Sequence, residues 1–211
     1  MIGELNFFNF FLGLKVVQKV EGIIIHQQKY LKEIIKKFGM DNSKPLHTLV
    51  STGTKLDADL NGHMANETLY RGMIGSLMYL TSSRSDIVFA VSLCARFQSD
   101  PRESHVAIIN RILRYLKGTD NLCLWYPKNC DFTLVEYIDA DYAGYFVDLK
   151  STSGMAQFLG PCLVSWGSRK QNSVVVSTTE AEYIATASCC AQLLWIKQHL
   201  LTSGSRWAQL K

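Results

Sequence analysis

The chain has 211 residues, 47% of them hydrophobic and 19% charged, with 22 Lys and Arg against 18 Asp and Glu. That length allows one or two domains, and that apolar share excludes wholesale disorder. No apolar run reaches the roughly 20 residues of a membrane span, so no membrane partner is expected; the net charge of +4 permits a nucleic-acid partner without arguing for one.

The N-terminus, Met1 to Asn6, has no basic leader region, and Phe7 to Leu14 reads as sheet rather than signal peptide. Phe10 to Gln18 and Ile23 to His26 form a predicted hairpin, with Gly22 in the turn region. A helix follows: Leu31, Ile34, Ile35 and Phe38 stand at i, i+3, i+4 and i+7, and Gly39 is its stop. Lys29, Lys32 and Lys36 share another face, which is either a solvated surface or a stripe facing phosphates. Asp41 to Asn66 is polar and weakly patterned, and is expected to be an extended surface loop.

Three helices are predicted next. Tyr70, Met73, Ile74 and Leu77 mark the first, and Ile87, Ala90, Val91 and Cys94 the second. The third has Asp100 as expected N-cap, Pro101 at the first helical position, Glu103 completing a capping pair, a buried stripe of Ile109, Ile112, Leu113 and Leu116, and Gly118 as terminator. Arg111, Arg114 and Lys117 are expected on its outer side. Leu122 to Asn129 reads as a linker.

The second half opens with an alternating run, Phe132 to Ile138, that reads as a strand leading into Asp139-Ala140-Asp141-Tyr142-Ala143-Gly144. Ser153 to Leu159 and Cys162 to Gly167 are two more strands, separated by the turn signal Gly160-Pro161. Ser177-Thr178-Thr179-Glu180-Ala181-Glu182-Tyr183 opens a helix. Packing that helix on the sheet could bring a strand carboxylate and a first-turn carboxylate together, an arrangement able to hold divalent metal. Asp139 and Asp141 point the same way on a continuing strand, so period does not choose between them. Glu180 also completes a Ser-x-x-Glu capping box with Ser177, and Thr179 with Glu182 offers a second. Asp148 and Lys150 flank the first turn of the sheet and read as solvated, whereas Arg169 and Lys170 follow the third strand and are candidate phosphate contacts. His105 and His199 lack a Ser or Cys partner, so a nucleophilic hydrolase has no support. The six cysteines, at 94, 123, 130, 162, 189 and 190, show no Cys-x-x-Cys spacing. They read as buried thiols of an intracellular reducing compartment, cytoplasm or nucleus.

These motifs, in this order, resemble the copia-type retrotransposon polyprotein. In the first half the resemblance rests on Phe11-Leu12-Gly13-Leu14, Lys29-Tyr30-Leu31, Lys36-Lys37-Phe38-Gly39-Met40, Gly75-Ser76-Leu77-Met78-Tyr79-Leu80-Thr81, Asp86-Ile87-Val88-Phe89-Ala90 and Arg114-Tyr115-Leu116-Lys117-Gly118-Thr119. In the second it rests on Tyr137-Ile138-Asp139-Ala140-Asp141, Lys150-Ser151-Thr152-Ser153-Gly154, Val164-Ser165-Trp166 and the Ser177 to Tyr183 run. Ser85 and Leu49 stand where the family usually has proline.

The resemblance implies an α+β fold: an N-terminal β-hairpin and a helical reverse transcriptase thumb and connection region over 1–128, then an incomplete ribonuclease H-like fold of three antiparallel strands and the first helix over 129–201, with an unrelated tail at 202–211. It also chooses Asp139 as the first metal ligand, with Glu180 as the second and Asp141 either beside the metal or capping the turn, around Mg2+ in an enzyme that acts on RNA–DNA hybrids. Two ions about 3.5–4 Å apart need three or four carboxylates. The sequence has no Asp-Asp dipeptide of the polymerase turn and no acid after Glu182. The chain is therefore expected to be catalytically inactive alone and to bind Mg2+ weakly. The alternatives are a partner-completed ribonuclease H and a non-catalytic nucleic-acid-binding module using Lys29, Lys32, Lys36, Arg111, Arg114, Lys117, Arg169 and Lys170. Three strands and one helix are also expected to leave a sheet edge open and a helix face uncovered.

Overall fold

A computed structural model describes residues 13–49, 56–131 and 133–202. The expected strand start at Phe10 to Leu12, the reading of Met1 to Leu12, Phe132, and the tail from residue 203 onward lie outside the described residues. Two compact units are present: 13–49 with 61–129, and 56–60 with 130–202. Together they contain two three-stranded sheets and five α-helices among the described residues, an α+β fold as the sequence implies. No helix among the described residues is long and apolar enough to cross a membrane.

In the first unit, β1 (Lys15–Lys19) and β2 (Gly22–His26) form the predicted hairpin. The stretch expected to be a linker is instead its third strand: β3 (Leu124–Pro127) pairs antiparallel with β2. Gly22 permits this, because a Cβ there would meet the Tyr126 carbonyl and come within 2.8 Å of the Trp125 ring. Four apolar and aromatic residues ending in proline carry too little pattern to announce a strand, and its partner lies about a hundred residues earlier.

Helix α1 (Gln28–Lys37) buries Leu31, Ile34 and Ile35. It ends as predicted: Gly39 takes φ +68, and the Met40 amide reaches back to the Ile35 carbonyl at 2.9 Å. Helices α2 (Glu67–Leu80), α3 (Val88–Ala95, entered through a short 3-10 turn at Ser85–Ile87) and α4 (Glu103–Gly118) carry the rest of the core. Every residue of the three predicted apolar stripes is buried, with Ile109, Ile112, Leu113 and Leu116 fully so. Each such side chain contributes about 1.5–3 kcal/mol relative to exposure.

The start of α4 differs from the sequence expectation. Its N-cap is Arg102, and the His105 imidazole, not Glu103, closes the cap by accepting the Arg102 amide at 3.0 Å. The cause is tertiary. Residues 101–103 run extended against 63–65, with the Ala65 amide on the Pro101 carbonyl and the Glu103 amide on the His63 carbonyl, both at 3.0 Å. Asp100 pairs with the Arg102 guanidinium at 2.7 Å instead. Gly118 is the last helical residue rather than a left-handed stop; a Cβ there would lie 2.9 Å from the Leu46 carbonyl.

In the second unit β4 (Leu134–Tyr145), β5 (Lys150–Leu159) and β6 (Cys162–Lys170) form an antiparallel sheet in chain order, followed by α5 (Thr178–Thr202). The helix meets the sheet through small residues, Ala181, Ala185 and Cys189, one turn apart. Its outer side leaves Tyr183, Leu194 and Trp195 exposed.

Candidate functional site

Strand alternation places the acids of β4. Leu134, Glu136, Ile138 and Ala140 are half-buried, whereas Val135, Tyr137, Asp139 and Asp141 are exposed. The half-buried face is the one α5 covers: the Glu136 carboxylate accepts the Cys189 thiol at 2.5 Å and the Gln157 amide at 2.8 Å. Asp139 and Asp141 therefore occupy the opposite face. They share it with Tyr137, whose ring meets Phe158 edge-on at 5.7 Å.

Asp141 and Glu180 each have a local task. The pairing of β4 with β5 slips between Asp141 and Tyr145, and Ala143 takes φ +50 in the bulge. The Asp141 carboxylate folds over Gly144 and occupies the space a Cβ would need, while the Ala143 amide donates to the Ser151 hydroxyl at 3.1 Å. Glu180 makes half of the capping box foreseen with Ser177, and its carboxylate reaches the amide one residue before the cap. Its amide donates to the Ser177 hydroxyl at 3.1 Å, and its carboxylate accepts the Val176 amide at 2.9 Å. Glu182 is exposed, with its carbonyl accepting the Thr186 hydroxyl. Among the described residues no three His, Cys, Asp or Glu side chains group so as to hold a metal ion. As placed, Asp139, Asp141 and Glu180 do not fit a pair of Mg2+ ions.

Burial, reinforced by the bond to Glu136, pushes the Cys189 thiol up to about 12, so it stays protonated and donates. Sequence reading missed this Glu136–Gln157–Cys189 cluster, although an acid among the apolar residues of an alternating strand was a visible signal. Asp148 is an ion-pair partner rather than a solvated turn residue. Burial works to raise its pKa, but the Lys170 ammonium at 2.5 Å outweighs that and holds it below the usual carboxylate range. Lys170 also lies 4.2 Å from the Tyr145 ring centroid, so it is engaged within the sheet. Arg169, next to it, is exposed.

The basic side chains of the first unit divide in two. Those of α4 hold a segment of their own chain. Arg111 donates to the Thr48 hydroxyl at 2.8 Å, Arg114 to the Lys44 carbonyl at 2.7 Å, and Lys117 to the carbonyls of Asp41 and Ser43. Lys29, Lys32 and Lys36 border a depression of about 390 Å³ with Lys15, His26, Gln28 and Glu33. Lys15 and His26 are direct cross-strand partners, which the sequence could not reveal before the hairpin register was known. Burial and the Lys15 charge both lower the pKa of His26. Its Nδ1 accepts the Gln28 amide at 3.2 Å, at the start of α1. Lys32 leans toward Asp120 at 3.9 Å. The depression thus combines four ammonium groups against the single Glu33 carboxylate with a helix N-terminus, a combination suited to anions.

No protein-family model matches the chain, and no solved structure matches it. The chain is 36% identical over 198 residues to the retrovirus-related Pol polyprotein from transposon RE1 of Arabidopsis thaliana, covering 94% of this chain and 14% of that one. It is 35% identical over 203 residues to the retrovirus-related Pol polyprotein from transposon TNT 1-94 of Nicotiana tabacum, covering 92% and 15%. An uncharacterized mitochondrial protein of Arabidopsis thaliana is 32% identical over 188 residues, covering 89% of this chain and 78% of the relative. The chain belongs to the copia-type retrotransposon Pol family. This Pol segment spans about one-seventh of the RE1 and TNT 1-94 polyproteins. Within it, the lysines of α1 and the hairpin converge on one depression, whereas the acids of the second unit serve a bulge, a helix cap and the exposed sheet face.

Proposed function

We propose that this Pol segment corresponds to a reverse transcriptase thumb and connection region (1–128) followed by the first part of a ribonuclease H (129–201), and that alone it holds nucleic-acid backbone without cutting it. The observation that carries this reading is the placement of the acids. A two-ion mechanism needs several carboxylates converging on one scissile phosphate. Here Glu180 is spent on the cap before α5, Asp141 on the β4 bulge, and Asp139 faces away from the covered side of the sheet. Backbone binding needs less: ammonium groups within reach of phosphates, which Lys15, Lys29, Lys32 and Lys36 supply around their depression.

Two assays on the purified chain test this. A labelled RNA–DNA hybrid incubated with Mg2+ or Mn2+ should remain whole. Binding of a labelled duplex should be independent of sequence and should weaken steeply with salt. Cleavage that disappears in Asp139→Asn would refute the non-cutting reading and make the chain a ribonuclease H. Binding no tighter than that of a neutral control protein would refute the binding reading.

A further inference from the structure

We propose that Cys130 and Cys162 are a thiol–disulfide exchange site that links the first residues of the second unit to its β5–β6 turn when a small-molecule disulfide such as oxidised glutathione is in excess. The two sulfurs lie 3.9 Å apart. The surrounding backbone already holds the two positions together. The Gly160 amide donates to the Thr133 carbonyl at 2.8 Å, and the Asp131 carbonyl sits where a Cβ on Gly160 would be. Gly160 accepts that approach at φ +59, and Cys162 pairs with Leu159 across the turn. Closing the bond asks the sulfurs to approach by somewhat under 2 Å, to about 2.05 Å.

The two thiols differ in a way that orders the steps. Cys130 is half-exposed, and Cys162 is buried at 4%. Burial, with the Cys130 contact adding to it, pushes the Cys162 thiol up to about 11, so near neutrality Cys162 stays protonated. Cys130 loses its proton to water and attacks one sulfur of glutathione disulfide. That S–S bond breaks, and the departing glutathione thiolate takes a proton from water. Cys162 then loses its proton and attacks the Cys130 sulfur. The mixed disulfide breaks, and a second glutathione leaves as thiol. Two protein thiols are oxidised by two electrons, and one disulfide is reduced to two thiols. The product closes a loop around β4 and β5, the longest hairpin of the second unit.

The full chain, equilibrated in glutathione buffers of rising disulfide content and then alkylated, gives the test. The expected result is a species that takes up two fewer alkyl groups than the reduced chain, with Cys130 and Cys162 protected together and recovered as one linked peptide. Its apparent Tm should rise on the order of 10 °C over the reduced chain. Cys162→Ala should stop at a stable glutathione adduct on Cys130. If both thiols remain alkylatable in fully oxidised buffer, if wild-type Cys130 stops at the adduct, or if the link runs to exposed Cys123 or Cys190, the proposal fails. Should Cys162→Ala not fold, the wild-type peptide map still decides.

Discussion

Replacing Lys29 and Lys36 together by Gln separates phosphate binding from general surface charge. Both residues border the depression between the hairpin and α1, and Gln keeps helix propensity close to that of Lys. Four lysines engaged with phosphates would give a slope of log K against log salt of about −3.6, from about 0.9 per contact. Affinity for a labelled duplex would then fall about 150-fold between 50 and 200 mM salt. Removing two contacts halves the slope and reduces that fall to about 12-fold. Asp120, which already shares Lys32 at 3.9 Å, makes these values upper bounds. The assay is fluorescence anisotropy at four or five salt concentrations. Arg111→Gln with Arg114→Gln is the contrast, because those guanidiniums are bonded to Thr48 and Lys44. That pair should lower stability and leave the slope nearly unchanged. A Lys29/Lys36 double variant with the wild-type slope, or an arginine pair that flattens it, would refute the assignment of the depression.

Three further outcomes follow from the geometry. Asp86→Asn should cost about 3 kcal/mol, because it leaves Arg84, 4% exposed and also bonded to Thr119, without its carboxylate. Burial alone would raise the pKa of Asp86, but the bonds from Arg84 and Tyr115 outweigh it and lower the pKa. Its stabilisation is therefore present above the unfolded carboxyl pKa and is lost as pH falls through the lower folded value. Urea midpoints measured from pH 7 down through 3 should show the gap between wild type and Asp86→Asn narrowing in the acid range, and a constant gap would contradict the ion pair. Ser177→Ala and Glu180→Ala should each cost about 1 kcal/mol in thermal unfolding through the lost cap of α5. In a double-mutant cycle they should cost less than their sum, and strict additivity would argue against the box. Gly22→Ala should unpair β3 from β2, because the added Cβ meets the Tyr126 carbonyl. Hydrogen exchange of the Tyr126 and Lys128 amides, which face β2, should rise, and unchanged protection would show that the strand does not need the glycine.

Elements whose pattern lies within their own residues were legible. The stripes of α2 and α4, the Gly39 stop of α1, the alternation of β4 and the Ser177–Glu180 box all follow from a period of 3.6 or 2, or from a cap read over four residues. The order of motifs also carried the family resemblance, which the Pol relatives bear out.

Partners distant in sequence decided the rest. Residues 124–127 became a strand because β2 offers them an edge, and α4 began at Glu103 because residues 63–65 hold the preceding stretch extended. Arg111, Arg114 and Lys117 look from the sequence like a phosphate stripe, yet the carbonyls and hydroxyl of residues 41–48 take them up. Alternation gives β4 two faces and does not say which one α5 covers. Packing resolved that by setting Cys189 on Glu136, which left Asp139 and Asp141 on the other side. Side-chain period is a property of the local backbone, whereas the choice of covered face depends on where a helix about forty residues later finds small residues that fit.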